Sequence, residues 1–183
     1  MKQLLFTCAL AFGTFALIAQ PKYGTKTGKI SFDAGTGLED ILAENKGVSS
    51  AINAKTGKIQ FKMTITGFEF KRQLMQDHFN ENYMESEKFP EASFSGNITN
   101  IDKVNFTKDG TYKANVKGTL KMHGEEKEVE TDGVIKVKGD QVTTQAEFTI
   151  TLEDYKINIP SVVKDKLSKT VKISVDCDYS LLK

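Results

Sequence analysis

The amino-acid sequence predicts an all-β fold in which eight antiparallel strands close into a barrel and one amphipathic helix covers an end. Three observations lead to this prediction. Apolar and polar residues alternate along eight segments, glycine-containing turns separate many of them, and the hydrophobic period becomes helical over residues 71–84. Alternation places one face of each strand against the interior, and closure into a barrel removes the exposed edges of the sheet.

The first 19 residues have the composition of a secretory signal peptide. Lys2 supplies a positive start, residues 4–19 carry no charge, and Gln20 and Pro21 end the apolar run. That run is shorter than the roughly 20 residues that a membrane-spanning helix needs. We therefore expect residues 1–19 to be cleaved and residues 20–183 to form a single domain. The mature protein is expected to be periplasmic or secreted, without stable membrane insertion.

The strands are predicted from segments that repeat one alternation. In the clearest of them, apolar or small residues such as Ala114, Val116 and Met122 alternate with Lys, Asn and Thr. In chain order the eight predicted strands are residues 25–33, 47–55, 59–65, 92–98, 112–122, 129–137, 146–152 and 171–179. Hairpin turns are predicted at 55–57, 108–110, 123–125 and 138–140, because each contains a glycine that accepts a positive φ.

Two segments have helical periodicity. Thr36 and Glu39 form a capping-box pattern, and Leu38, Ile41 and Leu42 share a helical face, which predicts a short helix. A longer amphipathic helix is predicted over residues 71–84. Its apolar face carries Leu74, Met75, His78, Phe79 and Tyr83. Because this helix lies between the third and fourth strands, we expect it to dock on an open end of the barrel.

Charge balance and motif content exclude several classes of function. With 25 Lys+Arg against 24 Asp+Glu, the chain lacks the basic excess of a nucleic-acid binder, and no nucleic-acid partner is expected. The sequence contains no dinucleotide or phosphate-binding glycine motif, nucleophile elbow or zinc-ligand spacing, so no cofactor, metal site or catalytic residue is predicted. Cys177 points inward in the alternation and is expected to be buried. Its pairing with His123 as a catalytic dyad is a minor alternative.

One segment, LMQDHFNENYMESEKFPEASF, resembles the helix-to-strand signature of the YceI-like family of exported bacterial proteins. In that signature an amphipathic helix ends near an acidic pair and leads through a Lys-Phe/Tyr-Pro step into a strand centred on an aromatic residue. Here the step is Lys88-Phe89-Pro90 and the aromatic residue is Phe94. The sequence GTLKMHG at 118–124 and the pattern over 154–173 are similar to the family's later strands. The family's usual His-Leu-Gly stretch near the second strand is absent.

The resemblance covers about residues 23–182 and implies an elongated, lipocalin-like barrel that is exported to the periplasm. Some members of the family bind a polyisoprenoid chain in an apolar lumen. The resemblance therefore implies an apolar, lipid-like molecule as the partner of this protein, which would act as an exported carrier or binding protein.

The residues independently favour a long apolar ligand. Strands of about 13 residues, tilted by about 40°, build a barrel roughly 30 Å tall, and few ionisable groups interrupt the inward faces. The residues predicted to contact the ligand, in the lumen or at its mouth, are Phe61, Met63, Ile65, Leu74, Met75, Phe79, Phe94, Ala114, Val116, Met122, Phe148 and Ile150.

Three other classes compete with a carrier. If Phe61, Phe94 and Phe148 fill the lumen, the protein is a ligand-free structural or stress-response barrel. A lipid-modifying enzyme is less favoured, because it needs a nucleophile or an acid–base pair. An outer-membrane barrel is disfavoured, because it would place apolar residues outward, whereas the outward positions here are rich in Lys, Asn, Glu and Thr.

Overall fold

The computed structural model describes residues 21–182, so the predicted signal peptide lies outside the described residues. The strands are β1 (Lys22–Gly35), β2 (Leu42–Asn53), β3 (Lys58–Thr64), β4 (Glu69–Phe70), β5 (Glu91–Ile98), β6 (Gly110–Met122), β7 (Glu125–Lys138), β8 (Gln141–Thr151) and β9 (Leu167–Leu182). The helix α1 (Gln73–His78) continues as a π-helical turn, Phe79–Tyr83. Short 3-10 segments lie at Ile65–Gly67, Ile101–Lys103, Leu152–Tyr155 and Ser161–Val163.

Eight of these strands close into an antiparallel barrel. Their order is β1-β9-β8-β7-β6-β5-β3-β2, and β2 pairs back with β1 to complete the circle. The two-residue β4 only adds to β2 near its start. The predicted eight-stranded barrel with one helix at an end is therefore confirmed.

The predicted alternation sets which side chains face the interior. In β6, Ala114 and Leu120 are buried, whereas Lys113 and Lys121 are exposed. Cys177 in β9 is 1% exposed, as expected from the inward phase of that strand. A dry inner face and a solvated outer face are the usual arrangement of an antiparallel sheet around a core.

The turn between β6 and β7 shows why a glycine is needed at this hairpin. His123 has φ 52° and Gly124 has φ 78°, and two successive positive φ angles are the requirement of a type I′ turn. A Cβ atom on Gly124 would lie 2.7 Å from Cε1 of Phe89. Glycine is therefore required at this position by backbone conformation and by the approach of the Phe89 ring.

The prediction of a short helix from Thr36 to Leu42 is wrong. This segment is a bent loop, and β2 already begins at Leu42. The Thr36 hydroxyl donates to the carbonyl of Asp165 at 2.7 Å instead of capping a helix. The backbone N–H of Ala34 donates to Ile41 O at 3.0 Å, which continues the β1–β2 pairing beyond the ladder. Contacts with distant parts of the chain thus outweigh a local capping preference that is worth only about 1 kcal/mol.

The longer predicted helix is confirmed, with its ends at Gln73 and Tyr83 instead of 71 and 84. Phe79 holds it to the barrel, because its ring lies 5.5 Å from that of Phe32 and 5.1 Å from that of Phe70. Leu74, although on the predicted apolar face, is 67% exposed. The helix therefore docks mainly through its second half.

The two ends of the barrel differ. At one end, called the far end below, the loop between β5 and β6 covers the opening: Val104 and Phe106 are buried there, and the Phe106 ring stacks on Tyr23 at 5.3 Å. At the other end, called the mouth, three segments meet: the loop 36–41, the helix and residues 160–167. The N–H of Thr36 donates to Lys166 O at 3.2 Å and ties two of these segments together.

Candidate functional site

A cavity of about 450 Å³ lies inside the barrel and reaches from the mouth toward the far end. Its wall is apolar over most of its length. Near the mouth it is lined by Phe32, Phe68 and Phe79, and deeper in the barrel by Ile98 and Ile135. An apolar interior space of this size is a usual form of small-molecule site in a protein.

All twelve residues predicted to contact a ligand line this cavity. Four of them are buried in its wall, namely Met63, Ile65, Ala114 and Ile150. Five strand residues are half-buried, namely Phe61, Phe94, Val116, Met122 and Phe148. The other three line the cavity from the helix: Leu74, Met75 and Phe79. Because inward positions on neighbouring strands share one face of the sheet, the structure brings together residues that are far apart in sequence. That these residues bind a ligand stays a prediction.

Phe61 and Phe94 line the cavity without filling it. They are paired on the neighbouring strands β3 and β5, with ring centroids 6.3 Å apart in an edge-to-face arrangement. Both rings line the cavity, which continues past them to Ile98 and Ala114. The two rings are therefore part of the cavity wall and do not close the lumen.

Three aromatic rings that pack against Phe79 of the helix were not among the predicted site residues. Phe32, Phe68, Phe70 and Phe79 have ring centroids 5.1–5.8 Å apart in five pairwise contacts. Such pairs contribute about 0.5–1.5 kcal/mol each beyond the burial of their area. The period-two spacing of Phe68 and Phe70 was the available signal, but it spans too few residues to predict a strand.

Charged residues at the mouth form a second feature that the sequence did not predict. Within residues 21–182, the charged side chains that line the cavity are Glu39, Arg72 and Lys166. Arg72 donates to Glu39 Oε1, and Lys166 Nζ lies 3.3 Å from Glu39 Oε2. The hydrogen bond from Arg72, followed by that from Lys166, holds the pKa of Glu39 below its ordinary value. The Glu39 carboxylate thus links its own loop, residues 36–41, to Arg72 at the start of the helix and to Lys166 in residues 160–167.

The backbone ladder between β7 and β8 is incomplete. These strands pair only from Gly133–Ala146 to Lys138–Gln141, and toward the mouth they separate. There the hydroxyl of Thr131 donates to Glu147 O at 3.0 Å, so a side chain replaces the backbone ladder.

The segments that carried the family resemblance meet at one junction beside the mouth. His123 Nδ1 donates to the carbonyl of Tyr155 at 2.8 Å, and the imidazole packs against Phe89 with ring centroids 4.8 Å apart. His123 Nε2 lies 3.4 Å from Glu85 Oε1, without hydrogen-bond geometry. These motif residues therefore tie the segment after the helix to the β6–β7 turn and lie outside the cavity lining.

The alternative catalytic pair is not assembled. Cys177 belongs to the buried cluster at the far end, whereas His123 contacts Tyr155 of the mouth-end cluster. Burial raises the pKa of the Cys177 thiol to about 11, which disfavours the nucleophilic thiolate.

Within the described residues, no three His, Cys, Asp or Glu side chains are grouped as metal ligands would be. No helix in that part of the chain is long and apolar enough to span a membrane.

The eight-stranded barrel and its internal apolar cavity together define a lipocalin-like barrel protein. The chain belongs to the YceI-like family, because the sequence model of the YceI-like domain matches residues 23–179. The resemblance noted from the helix-to-strand segment is thereby confirmed. Among curated protein sequences, none matches this chain significantly.

Several solved structures share the fold. A polyisoprenoid binding domain from Saccharophagus degradans, implicated in plant cell wall breakdown, has a TM-score of 0.75 at 13% identity, covering 88% of this chain and 98% of that one. Burkholderia cenocepacia BcnA has a TM-score of 0.68 at 16% identity, covering 84% and 96%. The Campylobacter jejuni YCEI protein has a TM-score of 0.56 at 13% identity, covering 100% and 99%. At such low identity these likenesses show the fold alone.

Proposed function

We propose that this protein is an exported carrier or binding protein that holds one long apolar molecule, an isoprenoid or another lipid, in the barrel cavity. The observation that carries the proposal is the cavity of about 450 Å³, whose charged lining residues lie only at the mouth among residues 21–182. The similarity to a domain described as polyisoprenoid binding supports the same class of ligand.

The chemistry of the cavity wall decides between apolar and polar ligands. A polar molecule would lose its water and find few partners there, at a cost of several kcal/mol for each unpaired group (roughly 2–7). An alkyl or isoprenoid chain would instead gain about 0.8 kcal/mol for each methylene that it buries. Met63 and Met122 on the wall supply flexible side chains that adapt to the shape of a chain.

Organic-solvent extraction of the purified protein, followed by mass spectrometry, tests this proposal. We expect one lipid molecule per barrel. The rings of Phe61 and Phe94, which occupy part of the space inside the wall, favour a second candidate, a ligand-free structural or stress-response barrel. An extract without lipid, together with failure of the stripped protein to take up an added isoprenoid, would establish that second candidate. Conversion of the added lipid into a product would instead indicate a lipid-modifying enzyme.

Export is the part of the proposal that rests on residues 1–19 alone. We expect the mature protein to begin at or near Gln20 and to be recovered from the periplasm or the medium. Intact-mass measurement of the exported protein checks this. Retention of Met1 in that protein would show that the segment is an anchor and not a cleaved signal.

A further inference from the structure

The charged groups that line the cavity stand together at its mouth and carry a net positive charge. Within residues 21–182 they are the side chains of Glu39, Arg72 and Lys166, which are one anion and two cations. His78 also lines the cavity, but Asn82 Nδ2 donates to its Nδ1 at 2.9 Å, so that nitrogen carries no proton and the imidazole is neutral. The opening of an otherwise apolar cavity therefore has one positive charge in excess.

Glu39 uses both of its oxygens on the two cations. Arg72 Nη2 donates to Oε1, and Lys166 Nζ lies 3.3 Å from Oε2. These hydrogen bonds hold the pKa of Glu39 below its ordinary value, so the carboxylate stays ionised near neutral pH. Its single charge is shared between two cations, and it holds them at one place although they come from distant segments.

Both cations keep donor groups that Glu39 does not use. A guanidinium has five N–H donors and an ammonium has three. In the described part of the chain, the hydrogen bonds of the Arg72 side chain all come from Nη2, to Glu39 and to Met75 Sδ at 3.3 Å. The side chains of Arg72 and Lys166 are 58% and 57% exposed. A polar group that emerges from the cavity can therefore reach unused N–H donors on both of them.

The other charged residues around the mouth are exposed to water and do not line the cavity: Asp40, Lys71, Asp77, Glu81, Lys164 and Asp165. Charges in water are screened beyond about 8 Å at physiological ionic strength. Most of these outer charges are acidic, so the mouth has no general positive field. An anion is favoured there only where it contacts Arg72 and Lys166 directly.

We propose that Arg72 and Lys166 form a recognition site for an anionic head group, a carboxylate or a phosphate, on a lipid whose chain occupies the cavity. The inference rests on the proposed function and deepens it, because it states which lipids are preferred and which end lies at the mouth. Guanidinium and ammonium groups bind carboxylate and phosphate oxygens through charge-assisted hydrogen bonds. Deeper in the cavity the described lining holds no cation, so an ionised head group is unfavourable there.

The test compares pairs of ligands that share a chain and differ in the charge of the head group. Oleate is compared with oleyl alcohol, and farnesyl phosphate with farnesol. Each displaces the uncharged fluorophore N-phenyl-1-naphthylamine from solvent-stripped protein at an ionic strength of about 0.15 M. The charge preference is the affinity for the anion divided by the affinity for the alcohol of the same chain. A preference within one pair alone identifies which of the two head groups the site recognises.

Substitutions at the half-exposed cations remove the charge while the barrel stays folded. Lys166→Gln and Arg72→Gln should each lower the charge preference by up to about fivefold, which corresponds to the roughly 1 kcal/mol of an exposed ion pair. The affinity for the alcohols should stay unchanged, and Lys166→Arg should retain the preference. Lys164→Gln is the matched control, because it removes the same charge two residues away from a side chain that does not line the cavity.

Glu39→Gln separates charge recognition from a structural role of the cluster. This change removes the carboxylate that competes for the cations, so the charge preference should rise. A cluster that only holds the mouth segments together would instead change the affinities for the anion and the alcohol by the same factor.

The outcomes distinguish this inference from the function on which it rests. If both members of each pair bind and the Arg72 and Lys166 variants leave the charge preference unchanged, the protein binds lipids but these cations do not select them, and the inference is overturned. If no probe displaces the fluorophore from wild-type protein, the lipid-binding function and the inference both fall.

Discussion

Replacement of Met63 by lysine places an ammonium group in the wall of the cavity. Met63 is 9% exposed, lies opposite Ala92 on β5 and lines the apolar part of the lumen. Holding a buried lysine neutral at pH 7, against an ordinary pKa near 10.4, costs about 5 kcal/mol. A folded domain is stable by only about 5–15 kcal/mol, so Met63→Lys should lower the melting temperature strongly and leave a marginally folded barrel.

The same substitution should abolish lipid uptake. If the lysine side chain stays charged, it keeps water in the lumen, and the ligand must displace that water. If the side chain is neutral, its amine lies without a hydrogen-bond partner against the apolar ligand. Desolvation of such a group costs about 3 kcal/mol or more, which corresponds to a loss of at least about 100-fold in affinity. Uptake of an added isoprenoid by solvent-stripped protein, measured by extraction and mass spectrometry, checks this after circular dichroism has shown that the variant is folded.

Two controls separate charge in the lumen from other effects. Met63→Leu keeps the volume and apolar character of the side chain and should change stability by less than about 1.5 kcal/mol. Gln60→Lys puts the same charge on the exposed outer face of β3 and should bind lipid like wild type. If folded Met63→Lys takes up as much lipid as these controls, the ligand does not occupy the cavity and the reasoning is refuted.

Two further predictions follow from the helix and the thiol. Phe79→Ala removes the ring that holds the helix to the aromatic cluster and should destabilise the protein by about 3 kcal/mol and speed ligand exchange. Leu74→Ala, at a largely exposed position, should change stability by no more than about 0.5 kcal/mol. If Phe79→Ala and Leu74→Ala had equal effects on the melting temperature and on ligand exchange, the helix would not be held by Phe79. Because burial raises the pKa of Cys177 to about 11, we expect its labelling by a thiol reagent at pH 8 to be negligible until denaturant is added. Rapid labelling of the folded protein would contradict the burial of this side chain. The raised pKa also means that the stability of the fold decreases as the pH rises above the ordinary thiol pKa of 9.0.

The family resemblance and the cavity overlap only in part, since Phe79, Phe94 and Met122 belong to both. The motif segments around Phe89 and His123 form a buried junction that orients the helix and the β6–β7 turn. Most of the cavity wall is built from inward positions that obey only a general rule of apolar character. Family membership therefore supports the fold through specific residues, whereas most positions that would contact a ligand carry no motif.

What the sequence by itself determined was the set of strands and the face of each strand that points inward. A period of two leaves only two faces to choose between, so nine of the twelve predicted lining residues and the burial of Cys177 were accessible from the alternation of apolar and polar residues. The helix was accessible for a similar reason, because its period of 3.6 extends over more than two turns.

Only the tertiary structure decided how the mouth is built. Glu39 meets Arg72 and Lys166 through contacts between distant segments, and these, with the backbone pairing of Ala34, override the local capping signal that predicted a helix. Local periodicity reports which side of an element is apolar, but contacts between segments that are distant in sequence determine which charged groups meet.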